Sequence, residues 1–429
     1  MIEYARYTVK VNSGSGCLYQ VGDHGFTYVL TARHNLADTM VIERHYLGDN
    51  DQPVTTALRM IGVPYPHPDV NKDAALIQIE WIAEVESLAR IEDAVAVGGR
   101  FTLAGYPYSR AEKPYQFRDD GLTIVGRQAF GYIEAQLDRP TSYNEVIGFS
   151  GGGIFITEGR QVYLAGTQIR MAVDDENEML SRIEFVPLHF FDEIATHYNL
   201  VTLIPEHLYC FSRLKDYALL LTGCILEDNV DFTRQYLQSM TDEIVNSGLT
   251  PELIKSFFNT RLLIYNQSPL ALGQRSLWIA WLEFLIILNI IRDEKVSEQN
   301  MKQIFNEFRL IYSATQDEWA GELSNIIRSD FRGMPVNAKI VVATASKATK
   351  PIIPVGMIDD IVKGKSSPRS QLQIDEGISN PLVDYKLVHI QAFQLHGIIN
   401  KEQDYGGYSA LNEPALLNKL KQEFNALFE

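Results

Sequence analysis

The spacing of apolar residues along this chain changes near residue 200, and the two parts predict different architectures. Before that point the apolar runs are short, often alternate with polar residues, and close on Gly, Pro, Asn or Asp, as β-strands do. Tyr4 to Val11 alternates like a half-buried strand. Asn12–Val21 and Phe26–Thr31, joined by Gly22-Asp-His-Gly25, predict a hairpin whose second strand runs into Ala32-Arg33-His34-Asn35. Ala74–Ile79, Val97–Pro107, Gly121–Gln136 and Ile154–Arg170 continue the pattern. Ile183–Leu188 predicts a last strand, and Phe190–Tyr198 a closing helix. Many short strands with little helical periodicity indicate an antiparallel barrel or sandwich.

From about residue 201 the apolar positions recur at three and four, the spacing of one helix face. Phe211–Glu227, Asp231–Asn246, Pro251–Asn266, Leu277–Arg292 and Ser297–Ala314 predict helices, with Thr250 as an N-cap before Pro251. Ala338–Ala343 reads as a strand, and Leu387–Lys401 with Glu413–Phe428 as a final helical pair. The most apolar run, Leu277–Ile291, is too short to span a bilayer and carries Glu283 and Asn289, so it predicts a buried helix. The expected organisation is an all-β domain over residues 1–200 and a mainly α-helical domain over 201–429.

The chemistry centres on Val146-Ile-Gly-Phe-Ser-Gly-Gly-Gly-Ile-Phe155, which sets Ser150 among Gly148, Gly151, Gly152 and Gly153. A serine hydroxyl becomes a useful nucleophile only beside a base, with donors for the oxyanion it creates. Glycines let bare backbone N–H groups approach a substrate carbonyl. Two further segments, Thr31-Ala-Arg-His34 and Asp73-Ala-Ala-Leu-Ile, complete a His, Asp, Ser order along the chain.

Together these segments resemble the signature segments of the chymotrypsin-fold, trypsin-like serine peptidases. Gly14-Ser-Gly16 and Gly105-Tyr-Pro107 are similar to the bacterial, disulfide-free branch of that family. The resemblance covers residues 1–200 and implies a double β-barrel. It implies Ser150 as nucleophile, His34 as general base, Asp73 as the carboxylate that orients the imidazole, and an oxyanion hole from the N–H groups of Gly148 and Ser150. It also implies Asn144 at the base of the primary specificity pocket, and Thr167, Gln168, Ile169 and Arg170 on a strand that pairs with an extended protein substrate. Asp69 competes with Asp73, which is preferred because it abuts an apolar strand. Glu184 is expected to face solvent, the alternative being that it points into the specificity pocket and attracts Lys or Arg, and His24 and His67 are expected to be solvated turn residues.

Two positions depart from the secreted members of that family. Phe149 stands where an aspartate would receive a freed N-terminus, and Asn35 where a cysteine would follow the histidine. Gly148-Phe-Ser150-Gly-Gly152 also fits the nucleophile elbow of α/β-hydrolases, with Asp192 and His197 downstream, but the elbow needs a helix after the serine. Glycines followed by Ile-Phe-Ile predict a strand instead.

A formal charge of -16 argues against a broad nucleic-acid surface. Cys17, Cys210 and Cys224 are too scattered for a disulfide framework or metal knuckle, and Met1-Ile-Glu-Tyr-Ala-Arg6 has no apolar leader core, which together predict a cytoplasmic protein without metal or cofactor. Gly364-Lys365-Ser366, in the basic Lys363–Ser370 loop, lacks the first glycine of a phosphate loop because Asp359 stands there. Residues 201–429 hold no catalytic cluster. Their layout resembles the C-terminal domains that attach effectors to ATPase partners in bacterial phage-defence systems. The expected function is a cytoplasmic, bacterial serine endopeptidase controlled by a partner, an ATPase or a sensor, through residues 201–429. The alternatives are a catalytically dead interaction module and an esterase using the same serine.

Overall fold

The computed structural model describes residues 3–22, 25–47, 52–83, 85–91, 96–113, 115–172, 181–220, 227–315, 319–335, 337–345, 386–391, 404 and 407–426. Pairing begins with β1 (Thr8–Val11), because Glu3–Tyr7 forms a 3-10 turn and not the first part of a strand. A 3-10 turn brings residues three apart onto one side. Tyr4 and Tyr7 therefore both reach the ring of Phe155, at centroid distances of 5.1 and 6.1 Å.

The expected hairpin forms from β2 (Gly14–Gln20) and β3 (Phe26–Thr31), with Cys17 opposite Leu30. β4 (Ile42–Leu47), β5 (Pro53–Ala57), β6 (Met60–Pro66) and β7 (Ala75–Glu80) complete a seven-stranded antiparallel sheet in the order β5-β4-β1-β2-β3-β7-β6. β5 and β6 gave no strand signal because they bury little, and β6 is interrupted by Gly62 and Pro64. The second sheet comprises β8 (Ala89–Arg90), β9 (Arg100–Gly105), β10 (Arg118–Arg127), β11 (Ile133–Leu137), β12 (Gly153–Glu158), β13 (Gln161–Met171) and β14 (Arg182–Pro187). It closes on itself, since β12 pairs with both β9 and β13, and leaves β8 as a short parallel addition to β13. Leu103, Leu122, Ile154, Ala165, Ile183 and Phe185 fill this second barrel. The helix His189–His197 follows β14 and buries Phe190, Phe191 and Ile194 against the first core.

The chain divides into two compact units, Met1–Glu206 and His207–Glu429. In the second, the helix Arg275–Ile291 is buried over nearly its whole length, with Trp278 and Trp281 enclosed. Two of its buried polar side chains are bonded: Glu283 accepts from the Leu219 N–H at 2.7 Å and Asn289 from that of Val296 at 2.9 Å. Thr250 caps the helix Pro251–Phe258 by accepting from the Leu253 N–H, and the helix ends where Asn259 turns to φ 45°. The predicted Asp231–Asn246 helix is two, Glu227–Ser239 and Thr241–Asn246. Phe211–Tyr217 is a 3-10 segment, and the rest of the Phe211–Glu227 prediction largely lies outside the described residues.

Two helical expectations are overturned. Ser297–Ala314 splits into a helix, Met301–Glu307, and a strand, β15 (Phe308–Ser313). Leu387 lies on β17 (Lys386–His389), and most of Leu387–Lys401 falls outside the described residues. With β16 (Lys339–Thr344) these strands form a parallel sheet in the order β15-β16-β17. Leu310, Ile311 and Tyr312 are all fully buried, and a strand buried on both faces loses the alternation that marks strands in sequence. The helix Glu413–Asn425 closes the unit. The basic Lys363–Ser370 loop lies outside the described residues. No helix among the described residues is long and apolar enough to cross a membrane.

Candidate functional site

β3 and β7 are antiparallel neighbours with Thr31 opposite Ala75, so the residues just past β3 and just before β7 emerge at one edge of the sheet. His34, in the 3-10 turn Arg33–Asn35, and Asp73 meet there. His34 Nδ1 lies 2.7 Å from Asp73 Oδ2, and the His34 backbone N–H donates to Oδ1 at 3.1 Å. An ionised carboxylate only accepts, so the Asp73 contact places the imidazole proton on Nδ1 and leaves Nε2 to accept. Burial alone would raise the Asp73 pKa. The bonds and charge from His34, with the backbone N–H groups of His34 and Arg33, outweigh it and hold the carboxyl below its ordinary range.

The loop carrying Asp73 is fixed from several sides. The Tyr132 hydroxyl donates to the Asn71 carbonyl and accepts from the Asp73 N–H at 3.2 Å. Arg33 Nη1 donates to the His67 carbonyl at 3.1 Å. His67 is buried, contrary to expectation: Nε2 meets Glu193 Oε2 at 2.9 Å and Nδ1 accepts from the Asp69 N–H. Lys72 pairs with the same Glu193 carboxylate. Asp69 is spent on Asn71, accepting from its backbone and side-chain N–H groups, and does not bond His34. His24 lies outside the described residues.

Ser150 comes from the second sheet, between the helical turn Tyr143–Val146 and β12. Gly148 and Gly151 have φ of 92° and 89°, and a Cβ on Gly151 would stand 2.0 Å from the Ser15 carbonyl oxygen. Ser15 N–H and Asn35 Nδ2 both donate to the Ser150 carbonyl, at 2.7 and 2.6 Å, while Ser15 Oγ donates to the Gly148 carbonyl at 2.6 Å. The backbone N–H groups of Gly148 and Ser150 have no protein hydrogen-bond partner among the described residues. Phe149 is buried in the barrel core with Arg118 6.0 Å above its ring, so apolar packing anchors the loop where secreted peptidases use an ion pair.

Ser150 Oγ donates to the Ile169 carbonyl at 2.9 Å, and no hydrogen bond joins it to His34 among the described residues. Ile169 sits at a bulge, since β13 pairs Gln168 with Phe185 and Arg170 with Glu184. This strand corrects part of the substrate-binding expectation. Thr167 is paired to Gly153 on one side and Val186 on the other, and Gln168 bonds Gly151 and Gly152, so neither backbone is open to an added strand. Ile169 and Arg170 lie beyond the last β12 pairing. Asn144 is exposed on the Tyr143–Val146 turn. Glu184 is buried and ion-paired, its Oε2 2.8 Å from Arg170 Nε, and does not face solvent.

A cavity of about 550 Å³ opens beside the imidazole, bounded by Arg33, His34, Asn71, Asp73, Tyr132 and Arg170. The elbow alternative finds no support. β12 follows Ser150 where that motif needs a helix, and Asp192 is bound to Arg90 at 3.0 Å. Cys17 is a buried free thiol whose pKa burial drives up, Cys210 is free, and Cys224 lies outside the described residues. No group of three or more His, Cys, Asp or Glu is placed to hold a metal among the described residues. Sequence reasoning missed Ser15, Asn35 and Tyr132 as supports of the site. Ser15 sat inside Gly14-Ser-Gly16 and Asn35 directly follows His34, whereas Tyr132 carried no signal.

Two antiparallel β halves, the first offering His34 and Asp73 and the second Ser150, give the N-terminal unit a trypsin-like peptidase fold. Similar solved structures include kallikrein-related peptidase 10 in complex with Zn2+, at 16% identity over 46% of this chain and 96% of that chain, with a TM-score of 0.35. The Rv3671c protease of M. tuberculosis H37Rv in its inactive form is 14% identical over 45% and 89%, with a TM-score of 0.31. A serine endoprotease from Yersinia pestis is 17% identical over 45% and 63%, with a TM-score of 0.32. Residues 185–399, just over half of the chain, match C-terminal domain 4 of the ABC-three component (ABC-3C) systems, and the chain belongs to that family. The resemblance of the C-terminal part to such domains is thereby borne out. No curated protein matches the chain.

Proposed function

We propose that this protein is a serine endopeptidase whose activity is governed through its C-terminal unit. The observation that carries this reading is the His34–Asp73 pair, bonded at 2.7 and 3.1 Å, with the lone pair on Nε2 left to act as base. In the proposed reaction Ser150 Oγ attacks the scissile carbonyl while His34 Nε2 takes its proton. The tetrahedral oxyanion is held by the N–H groups of Gly148 and Ser150, each worth about 3 kcal/mol in such sites. His34 then protonates the leaving amine, and water, deprotonated by the same nitrogen, releases the acyl group. An extended substrate pairs with the backbone of Ile169 and Arg170, and Asn144 borders the pocket for the residue before the scissile bond.

Ser150 must first leave the Ile169 carbonyl. A neutral hydrogen bond contributes about 1 kcal/mol net, so a side-chain rotation toward His34 is a small step that a partner can trigger. The same bond favours a second reading, a non-catalytic interaction module, in which Ser150 is structural. We assign the trigger to another component of an ABC-three component system, such as an ATPase or a sensor, bound through residues 201–429. The setting we propose is antiphage defence in the bacterial cytoplasm, to which the free, buried Cys17 thiol is suited.

The test is proteome-wide mapping of new N-termini made by wild type and by Ser150→Ala, each with and without the neighbouring system components. Cleavage sites that need Ser150 support the peptidase. Biological activity unchanged in Ser150→Ala favours the interaction module, and ester turnover retained in His34→Ala would favour an esterase.

A further inference from the structure

The cavity beside His34 has a chemical character that the peptidase chemistry alone does not require. Two cations from different elements reach it, Arg33 from the turn after β3 and Arg170 from the bulged end of β13. Arg33 gives one guanidinium N–H to the His67 carbonyl and has no carboxylate partner among the described residues. Arg170 meets Glu184 through Nε, yet its side chain remains 49% exposed over a carboxylate that is only 9% exposed. Asp73 is the carboxylate on the wall, bonded by His34 and 27% exposed. Two guanidinium groups therefore face one lining carboxylate.

Besides Asn71, the remaining walls carry three side chains able to take methylene groups, Tyr132, Val70 and Phe130. Tyr132 lies under the Arg170 guanidinium, 5.4 Å from ring centroid to carbon. Val70 and Phe130 also border the cavity while 73% and 65% exposed. Phe130 has φ 59°, a left-handed conformation that costs a bulky residue on the order of 1 kcal/mol or more. Such strain at a cavity rim fits a residue held to present its ring.

We infer that this cavity is a specificity subsite for an acidic substrate side chain, glutamate above aspartate, within four residues of the scissile bond. The carboxylate bridges Arg33 and Arg170, and its methylenes lie against Tyr132, Phe130 and Val70. Arginine suits the role because its planar fork matches a carboxylate. The inference rests on the peptidase reading for its register along the substrate, while the binding it predicts is independent of turnover.

The test uses the full chain carrying Ser150→Ala and fluorescent decapeptides in which one Glu is stepped along a neutral sequence, with a matched Gln set. Fluorescence anisotropy should show one Glu position bound about 10-fold more tightly than its Gln counterpart, with the ratio shrinking as salt is raised. Arg33→Gln with Arg170→Gln should bring the ratio below about 2-fold, and Arg170→Lys should restore part of it. Equal binding of the two sets, or discrimination that survives loss of both arginines, overturns the subsite. Wild type is assayed in parallel for cleavage of the same peptides, with the neighbouring system components present to release Ser150 from Ile169. Discrimination in binding without any Ser150-dependent cleavage would sink the peptidase and keep the subsite. Cleavage indifferent to Glu or Gln would do the reverse.

Discussion

Asn35 Nδ2 lies within hydrogen-bond reach of the Ser150 carbonyl, Thr31 Oγ1 and the Ser15 carbonyl, at 2.6, 3.0 and 3.3 Å. It ties the turn that holds the imidazole to the loop that holds the hydroxyl. Asn35→Ala removes these bonds, although the Ser15 N–H still donates to the Ser150 carbonyl at 2.7 Å and Thr31 Oγ1 to that of Ser15 at 2.7 Å. It should cost about 1 kcal/mol and slow acylation of Ser150 by 10-fold or more. Thermal melting and the rate of fluorophosphonate inactivation check the two effects. Asp73→Asn should slow that inactivation by about 10⁴-fold with little change of fold. It also removes a carboxyl whose folded-state pKa is depressed. The stability from such a group is complete above the unfolded carboxylate range, near about pH 4, and is lost as pH falls through the lower folded value. The melting-temperature gap between wild type and Asp73→Asn should therefore narrow as pH drops from 5 toward 3. The His34–Asp73 contact was legible because each residue stands beside a strand in a short motif, His34 after β3 and Asp73 before β7. Ser15, Asn35 and Tyr132 act through space on backbone atoms, which no local pattern records.

At the scale of elements, the Ser150 loop depends on two backbone positions as much as on its side chains. Gly151→Ala combines a left-handed φ with a Cβ that would collide with the Ser15 carbonyl, so it should abolish detectable inactivation by fluorophosphonates. Far-UV circular dichroism of the variant would show whether the barrels persist. The β-rich half was readable because its hairpins carry turn chemistry and its apolar runs are short and closed by Gly, Pro, Asn or Asp. The parallel sheet of the second unit was not. Phe308–Ser313 is buried along nearly all its length, and a continuous apolar run is compatible with helix or strand. That unit also carries two buried histidines. His207 bonds the Gly273 carbonyl at 2.9 Å, and His389 meets Thr344 Oγ1 at 3.1 Å. Burial pushes both down to about 4. Unfolded chains take up protons between about pH 6.5 and 4 while the folded imidazoles do not, so stability must fall with pH across that window. Each histidine should account for on the order of 2 kcal/mol lost at pH 5, visible as a drop in the denaturation midpoint of the full chain that His389→Gln reduces.

For the whole molecule, the two units divide the proposed work. The N-terminal unit holds every group of the proposed chemistry, and the C-terminal unit supplies the larger part of the stretch that defines the family. Composition had already argued against a broad nucleic-acid surface, through a net charge of -16. The layout of helices pointed to the family of the second half without revealing its sheet. The account predicts that adding the neighbouring system components raises the rate of Ser150 acylation at least 10-fold, because the resting hydroxyl is held by Ile169. Equal rates with and without those components would leave the peptidase but remove its control by a partner.

The most direct measurement is intact mass and peptide mapping of the full chain after treatment with a fluorophosphonate, with the system components present. The account predicts one adduct, on Ser150, in wild type, and none in His34→Ala treated identically. No adduct on wild type, or an adduct on Ser150 that forms equally well without His34, would contradict it.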